Sequence, residues 1–135
     1  MKIVMVEKNK LSSLQLRLIE DRLSLPEHIN DLGPSQVWRT YSSGLFAFFC
    51  IETDRLIGLA EASGVNNVQP GWWIDTVFRE QGYGNHMVDL LAENLKQRGV
   101  TRIGRMLITT HQQQYDQQST RLAQRMRRHF ERVYI

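Results

Sequence analysis

The sequence predicts an α/β domain with a mixed, mostly antiparallel central sheet and helices on both faces. Three observations carry that expectation. Apolar, β-branched or aromatic runs of strand length stand at Lys2–Glu7, Leu45–Ile51, Leu56–Ser63, Trp72–Phe78 and Arg102–Thr109. Apolar residues at helical spacing mark stretches near the start, in the middle and at the end of the chain. The links between the middle strands are too short for helical crossovers, whereas a helix separates the Trp72 strand from the Arg102 strand, so most neighbours pair antiparallel and one connection is a βαβ unit. The full order reads β-α-α-β-β-β-α-β-α-β.

Taken in order, Lys2–Glu7 is a first strand whose continuous apolar run does not show which face is buried. Ser12 and Gln15 then stand three apart as a capping box, and Leu11 and Leu16 occupy the flanking staple positions, so a helix starts at this point. Leu14, Leu18 and Leu25 continue a helical stripe that Pro26 ends. Pro34 suits the first position of a short second helix running through Gln36, Val37, Trp38 and Tyr41. Leu45–Ile51 is apolar on both faces, as expected of a central strand, and the polar link Glu52–Arg55 makes a hairpin with Leu56–Ser63. On that second strand Ile57, Leu59 and Glu61 share one face, and Gly58, Ala60 and Ala62 the other. The segment Gly64–Gly71 is an antiparallel connection to the next strand.

The stretch Gly71–Gly99 then gives a strand, a glycine-bearing turn and a helix. Met87, Val88, Leu91, Ala92 and Leu95 form one apolar stripe, Gly99 stops the helix, and Lys96 and Arg98 sit in its last turn, where the carbonyl end favours cations. Beyond the Arg102 strand, the polar run Thr110–Gln118, whose Gln-rich part also reads as a low-complexity loop, leads into a last helix. There Tyr115, Ser119, Leu122, Met126 and Phe130 share a face. Val133–Ile135 is short enough for a closing edge strand or a frayed end.

At 135 residues the chain is expected to form one domain, residues 1–135, with room for one core. Its single cysteine, Cys50, lies in an apolar run, which excludes a disulfide framework, reads as a buried inert thiol and suits a reducing cytoplasm. No apolar stretch reaches membrane-spanning length and the first residues lack a hydrophobic signal core, so a cytoplasmic protein with no membrane partner is expected. The net charge of +3 is unevenly spread, with arginines crowding the last quarter. That asymmetry points to an anionic partner.

The turn carries the functional signal. Arg79-Glu80-Gln81-Gly82-Tyr83-Gly84 fits (Arg/Gln)-x-x-Gly-x-(Gly/Ala) at every fixed position, between a strand and a helix. Glycines let backbone N–H groups approach phosphate oxygens, and a helix start adds unpaired donors and a positive dipole end. On these residues, and on the element order over nearly the whole chain, the sequence resembles the GNAT superfamily, the Gcn5-related N-acetyltransferases. The resemblance implies a GNAT-like fold and acetyl-CoA as cosubstrate. It implies that Ile74, Asp75 and Thr76 offer backbone groups to the pantetheine arm and that Arg79, Gln81, Gly82, Tyr83, Gly84 and Asn85 hold the phosphates. The family's Asn-x-x-Ala…Tyr ending has only a loose counterpart here, with Gln118 near the asparagine slot and Arg125 near the tyrosine slot.

Acetyl transfer to an amine needs the thioester held against a neutral nitrogen, a route for the amine's protons and a way to accommodate the leaving thiolate. Glu61, a carboxylate among apolar neighbours, and Asp75 on the adjacent strand are the candidate bases. A water relay, or no dedicated base, is the remaining option. Tyr115 is the candidate acid, with a core tyrosine as its plain alternative. His86 and His111 belong to no metal-ligand spacing, so no metal is expected. Trp38, Trp72 and Trp73 read as core or acceptor-pocket walls. The expected function is thus an N-acetyltransferase acting by direct transfer to a small-molecule or protein amine, and a homodimer is compatible with it. Two alternatives stand beside it: a catalytically idle CoA-binding regulatory module, and a nucleic-acid binder using Arg121, Arg125, Arg128 and Arg132 as a basic helical stripe.

Overall fold

The computed structural model describes residues 2–24, 44–62, 68, 70–78, 81–101, 103 and 113–130, and of residues 76 and 113–120 it describes the backbone alone. Four strands, β1 (Ile3–Glu7), β2 (Leu45–Cys50), β3 (Leu56–Glu61) and β4 (Gly71–Ile74), form one sheet in the order β1-β2-β3-β4, every adjacent pair antiparallel. Three helices are described: α1 (Ser13–Leu23), α2 (Tyr83–Gln97) and α3 (Gln113–Arg128). Val68, just ahead of β4, bridges in parallel to Ile103, just past α2. A parallel neighbour reached through a helix is the βαβ connection expected of this segment. The short helix expected after Pro34, most of the Arg102–Thr109 strand and the closing Val133–Ile135 segment lie outside the described residues.

The core has two layers, one on each face of the sheet. Phe46 and Phe48 of β2 point toward α2 and α3, where they meet Met87, Val88, Leu91, Ala92, Leu95, Leu122, Ala123, Met126 and Phe130. Leu45, Ala47 and Phe49 point the other way and pack with Leu56, Leu59 and Trp73 against Ile19 and Leu23 of α1. The alternation is the period of two that a strand imposes, and it makes β2 the covered central strand its sequence predicts. Each large side chain so buried gains roughly 1.5–3 kcal/mol over exposure.

Local signals set the helix ends. Ser12 Oγ accepts the Gln15 N–H at 3.1 Å while Gln15 Oε1 accepts the Ser12 N–H at 2.9 Å, the reciprocal capping box read from the sequence. Leu11 and Leu16 both pack against the α1-side layer. The stripe itself is differently phased from expectation. Leu14 is 67% exposed, and Ile19 and Leu23 are the buried pair. Four apolar residues within Leu14–Ile19 allow two stripes, and the one in register with β2 prevails.

Two further departures have physical causes. Opposite Phe48 and Phe49 the β2–β3 register shifts, with Phe48 across from Gly58 and Phe49 across from Leu56, so Ile57 is an extra residue. This bulge turns Ile57 to the α2 side, away from Leu59, with which strict alternation would have grouped it. The strand expected over Trp72–Phe78 ends at Ile74, and Thr76–Phe78 is a 3-10 turn. Asp75 bends the chain there, its Oδ1 accepting the Val77 N–H at 3.2 Å and its carbonyl the Phe78 N–H at 2.8 Å. Helix α3 begins at Gln113, so the glutamine run from there to Gln118 is helical rather than loop. Cys50 is half-buried rather than sealed in the core, and hydrogen bonding to Thr53 lowers its pKa.

Candidate active site

Helix α2 starts where the glycine turn delivers it. Its N-cap, Gly82, has φ 85°, the left-handed region that a side chain disfavours, and no side chain to cap the first turn. The helix opens at Tyr83, four residues ahead of Met87 where the apolar stripe begins, and its first turn holds no acidic residue. The N–H groups of that turn therefore face no capping side chain of their own N-cap and no local negative charge. An anion is the group such a helix start accommodates.

The turn is braced from within. Gln81 Nε2 donates to the Val77 carbonyl at 2.7 Å. The rings of Phe78 and Tyr83 meet edge to face with centroids 5.1 Å apart, and the Arg55 guanidinium from the β2–β3 hairpin lies 5.1 Å from the centre of the Phe78 ring. Gln81 and Tyr83 thus spend side chains on the loop's own shape and would offer a ligand chiefly backbone. Asn85 is exposed in the first turn. Arg79 lies outside the described residues, and of Thr76 only the backbone is described.

Gly84 has a reason that the motif does not reveal. A β-carbon there would stand 2.8 Å from Ile74 Cδ1 and 3.1 and 3.2 Å from the two methyls of Leu122. The missing side chain lets the helix start pack onto β4 and α3 together. Ile74 is accordingly half-buried against the α2-side layer. Gly58 does similar work one strand over: a β-carbon there would run into the Trp73 carbonyl and come within 2.8 Å of Met87 Cε.

Of the three candidate proton-transfer groups, the structure describes two side chains. Glu61 ends β3 directly across from Gly71, on the α1 side with Leu59 and Trp73. Its carboxyl lies over Gly71, where a β-carbon would be 2.9 Å from Oε1. The side chain is exposed to solvent, yet desolvation raises its pKa from the ordinary glutamate value. Arg98, at the end of α2, donates through both Nη1 and Nη2 to the Ala62 carbonyl, each at 3.1 Å, and so pins the chain next to Glu61.

Asp75 is placed otherwise. It is 1% exposed, and both carboxylate oxygens accept from Arg22 of α1, Oδ2 from Nε at 2.7 Å and Oδ1 from Nη2 at 2.8 Å. It stands four positions past Gly71, roughly 13 Å along the strand direction from the Glu61–Gly71 pair at an extended rise. The two carboxylates do not form a pair. Tyr115 lies in the first part of α3, residues 113–120, of which only the backbone is described. Trp73 is a core wall on the α1 side, Trp72 is half-buried on the other side, and Trp38 lies outside the described residues.

The basic stripe of the last helix is broken by partners. Arg125 holds Asp89 of α2 with Nε–Oδ1 at 2.9 Å and Nη2–Oδ2 at 2.7 Å, and His129 Nε2 reaches the same carboxylate at 2.9 Å. The Arg125 hydrogen bonds, aided by His129 and opposed by partial burial, hold the Asp89 pKa down to about 2. Arg121 and Arg128 are exposed. Arg125 thus works as a paired clamp between α2 and α3, which takes one of the inner members out of any anion-binding stripe.

An antiparallel sheet, a strand followed by a 3-10 turn and a glycine turn, and a helix with an uncapped, acid-free start make up the α/β fold on which the comparisons bear. The sequence model of the Acetyltransferase (GNAT) family matches residues 15–127, and the chain belongs to that family. A comparison with curated protein sequences finds no match. Solved structures share the fold. A domain from Methanocaldococcus jannaschii superposes with a TM-score of 0.61 at 18% identity, over 91% of this chain and 85% of its own. A putative ribosomal-protein-serine acetyltransferase from Vibrio cholerae gives 0.57 at 16% identity, over 93% and 78%. An aminoglycoside 6'-N-acetyltransferase complexed with coenzyme A gives 0.50 at 22% identity over 73% of this chain, which spans 57% of that enzyme's length. Acetyl transfer is the general chemistry of the family, with acetyl-CoA as its cosubstrate. No described helix is long and apolar enough to cross a membrane.

Proposed function

We propose that this chain is an acetyl-CoA-dependent N-acetyltransferase that acetylates an amine by direct transfer. The observation that carries the proposal is the start of α2. Gly82 in the left-handed region, a first turn without acidic residues and an internally braced turn form a preorganised anion seat in a chain of the GNAT family.

In this reading the backbone N–H groups of Tyr83, Gly84 and Asn85 hold the diphosphate of the donor, with Gln81 and Gly82 shaping the approach and Arg79 adding charge. The backbone at Ile74 and Thr76 aligns the pantetheine arm. Acetyl-CoA supplies an acyl group already activated as a thioester, so the chain's own task is positioning and proton handling. Glu61 is the proposed base. Its raised pKa comes from desolvation, the usual way in which a carboxylate becomes a better proton acceptor near neutrality. Asp75 is not given this task, because taking a proton would cancel the negative charge that its two hydrogen bonds with Arg22 rest on in a buried site. Tyr115 is the proposed acid toward the leaving thiolate. Neighbours in the fold that are named as aminoglycoside acetyltransferases make small polyamines the first acceptors to try.

The test is thiol release from acetyl-CoA across a panel of aminoglycosides, diamines and peptide amines, with mass spectrometry of the products. Acetylated amine formed in proportion to enzyme supports the proposal. Binding of acetyl-CoA without turnover on any amine would favour the idle regulatory module.

A further inference from the structure

The Arg22–Asp75 pair joins parts of the chain that the catalytic reading uses without explaining. Asp75 has every polar group engaged: its N–H donates to the Ile57 carbonyl at 2.8 Å, its carbonyl accepts from Phe78, Oδ1 accepts from Val77, and both oxygens accept from Arg22. It therefore ties α1, the bulge of β3, the end of β4 and the start of the turn at one point. Beyond this knot Phe78 is held by Arg55 and Tyr83, and Gln81 by Val77. Arg22 itself is on the face of the sheet opposite α2.

A buried carboxylate is expensive to desolvate, and an apolar pair of the same shape would serve stability as well or better. What the two-pronged guanidinium contact provides is direction. It fixes the plane of the carboxylate, and through Oδ1 the turn that begins the donor-binding loop. A loop ordered before binding gives up less entropy when the ligand arrives. We infer that Arg22 is a positioning residue for the acyl donor: acting through Asp75, it preorganises the Thr76–Phe78 turn that leads toward the donor site and so sets affinity for coenzyme A from across the sheet. This rests on the donor site proposed above.

The test measures coenzyme A binding by calorimetry, at a temperature where circular dichroism shows each variant folded. Arg22→Met and Asp75→Asn are each expected to weaken binding about tenfold, and the double variant no further than either single one, because both break the same link. Arg22→Lys keeps the charge but not the fork and is expected to fall between. In kinetics, KM for acetyl-CoA rises while kcat at saturating donor stays within about twofold. A purely structural role would lower the melting temperature and leave the dissociation constant unchanged. If folded Arg22→Met binds coenzyme A within about twofold of the parent, the inference is overturned. Should Arg22→Met not fold, the same outcome in Arg22→Lys overturns it. A parent protein that does not bind coenzyme A at all would instead overturn the donor site, and this inference with it.

Discussion

The carboxyl of Glu61 lies against the α-carbon of Gly71, directly across the β3–β4 pairing, where a β-carbon would stand 2.9 Å from Oε1 and 3.2 Å from Cγ. Only a glycine at 71 leaves the side chain in that place. The contact involves the mobile end of a glutamate, so the sheet itself has little to lose. Gly71→Ala is expected to keep stability within about 1 kcal/mol of the parent, since alanine also restricts the unfolded chain. Turnover should fall as Glu61 is pushed aside, with coenzyme A affinity unchanged. Unfolding in urea and steady-state kinetics check the two halves, and full activity in a folded variant would remove Glu61 from the proton path.

Glu61→Gln tests the same group through its charge. The folded-state pKa of Glu61 is raised, so its ionisation opposes folding: the favourable contribution is present below the unfolded pKa and is lost as pH rises through the folded value. At neutral pH the glutamine variant should be as stable as the parent or slightly more so. Its kcat should drop by about two orders of magnitude, within the usual range for a general base, and the acidic limb of the pH–rate profile should flatten. An unchanged profile would favour an amine that arrives deprotonated or loses its proton to water.

Gly84 separates packing from ligand approach. Alanine there gains about 1 kcal/mol in helix propensity and must displace only the terminal methyls of Ile74 and Leu122, so Gly84→Ala should be close to neutral. Gly84→Val is expected to cost about 1–3 kcal/mol through overpacking, and Leu122→Ala should recover part of that loss. Denaturant unfolding of the four proteins measures it. If Gly84→Val is as stable as the parent yet no longer binds coenzyme A, the glycine serves the ligand rather than the core.

The Asp89–Arg125 clamp should show in the acid limb of stability. Asp89 has its pKa depressed to about 2, so its contribution is complete above the unfolded carboxylate value and disappears as pH falls through about 2. Asp89 keeps 34% and Arg125 40% of its side-chain exposure, so solvent screening limits the pair to about 1 kcal/mol. Asp89→Asn should cost that much at pH 7, and the cost should shrink as pH falls toward 2. A loss independent of pH would mean that shape rather than charge holds the two helices.

How much of this was legible in the sequence depended on range. The Ser12–Gln15 capping box, the α2 stripe and the hairpin around Glu52–Arg55 are contacts between near neighbours, and local spacing announces them. The α1 stripe was misphased at Leu14 because several apolar residues crowd one helix and only the partner surface chooses among them. Ile57 changed sides through a bulge that no pattern in Leu56–Glu61 signals. Arg22 and Asp75 are 53 positions apart, and Asp89 and Arg125 36. Pairings at such separations leave no local trace, so Asp75 read as a reactive carboxylate and Arg125 as a free cation. In the glycine turn the motif singled out Gly84 for phosphate approach, while the crowding by Ile74 and Leu122 that Gly84 answers is visible only in three dimensions.

Calorimetric titration of the protein with acetyl-CoA tests the central claim most directly. Saturable binding is expected, with the melting curve displaced in step: at a hundredfold excess over the dissociation constant the fold should gain about 2.7 kcal/mol. Desulfo-coenzyme A, which keeps the diphosphate, should bind as well, and Gly82→Val should bind more weakly than the parent. No heat and no stabilisation at millimolar acetyl-CoA would contradict the donor site at the start of α2, and with it the proposed acetyl transfer.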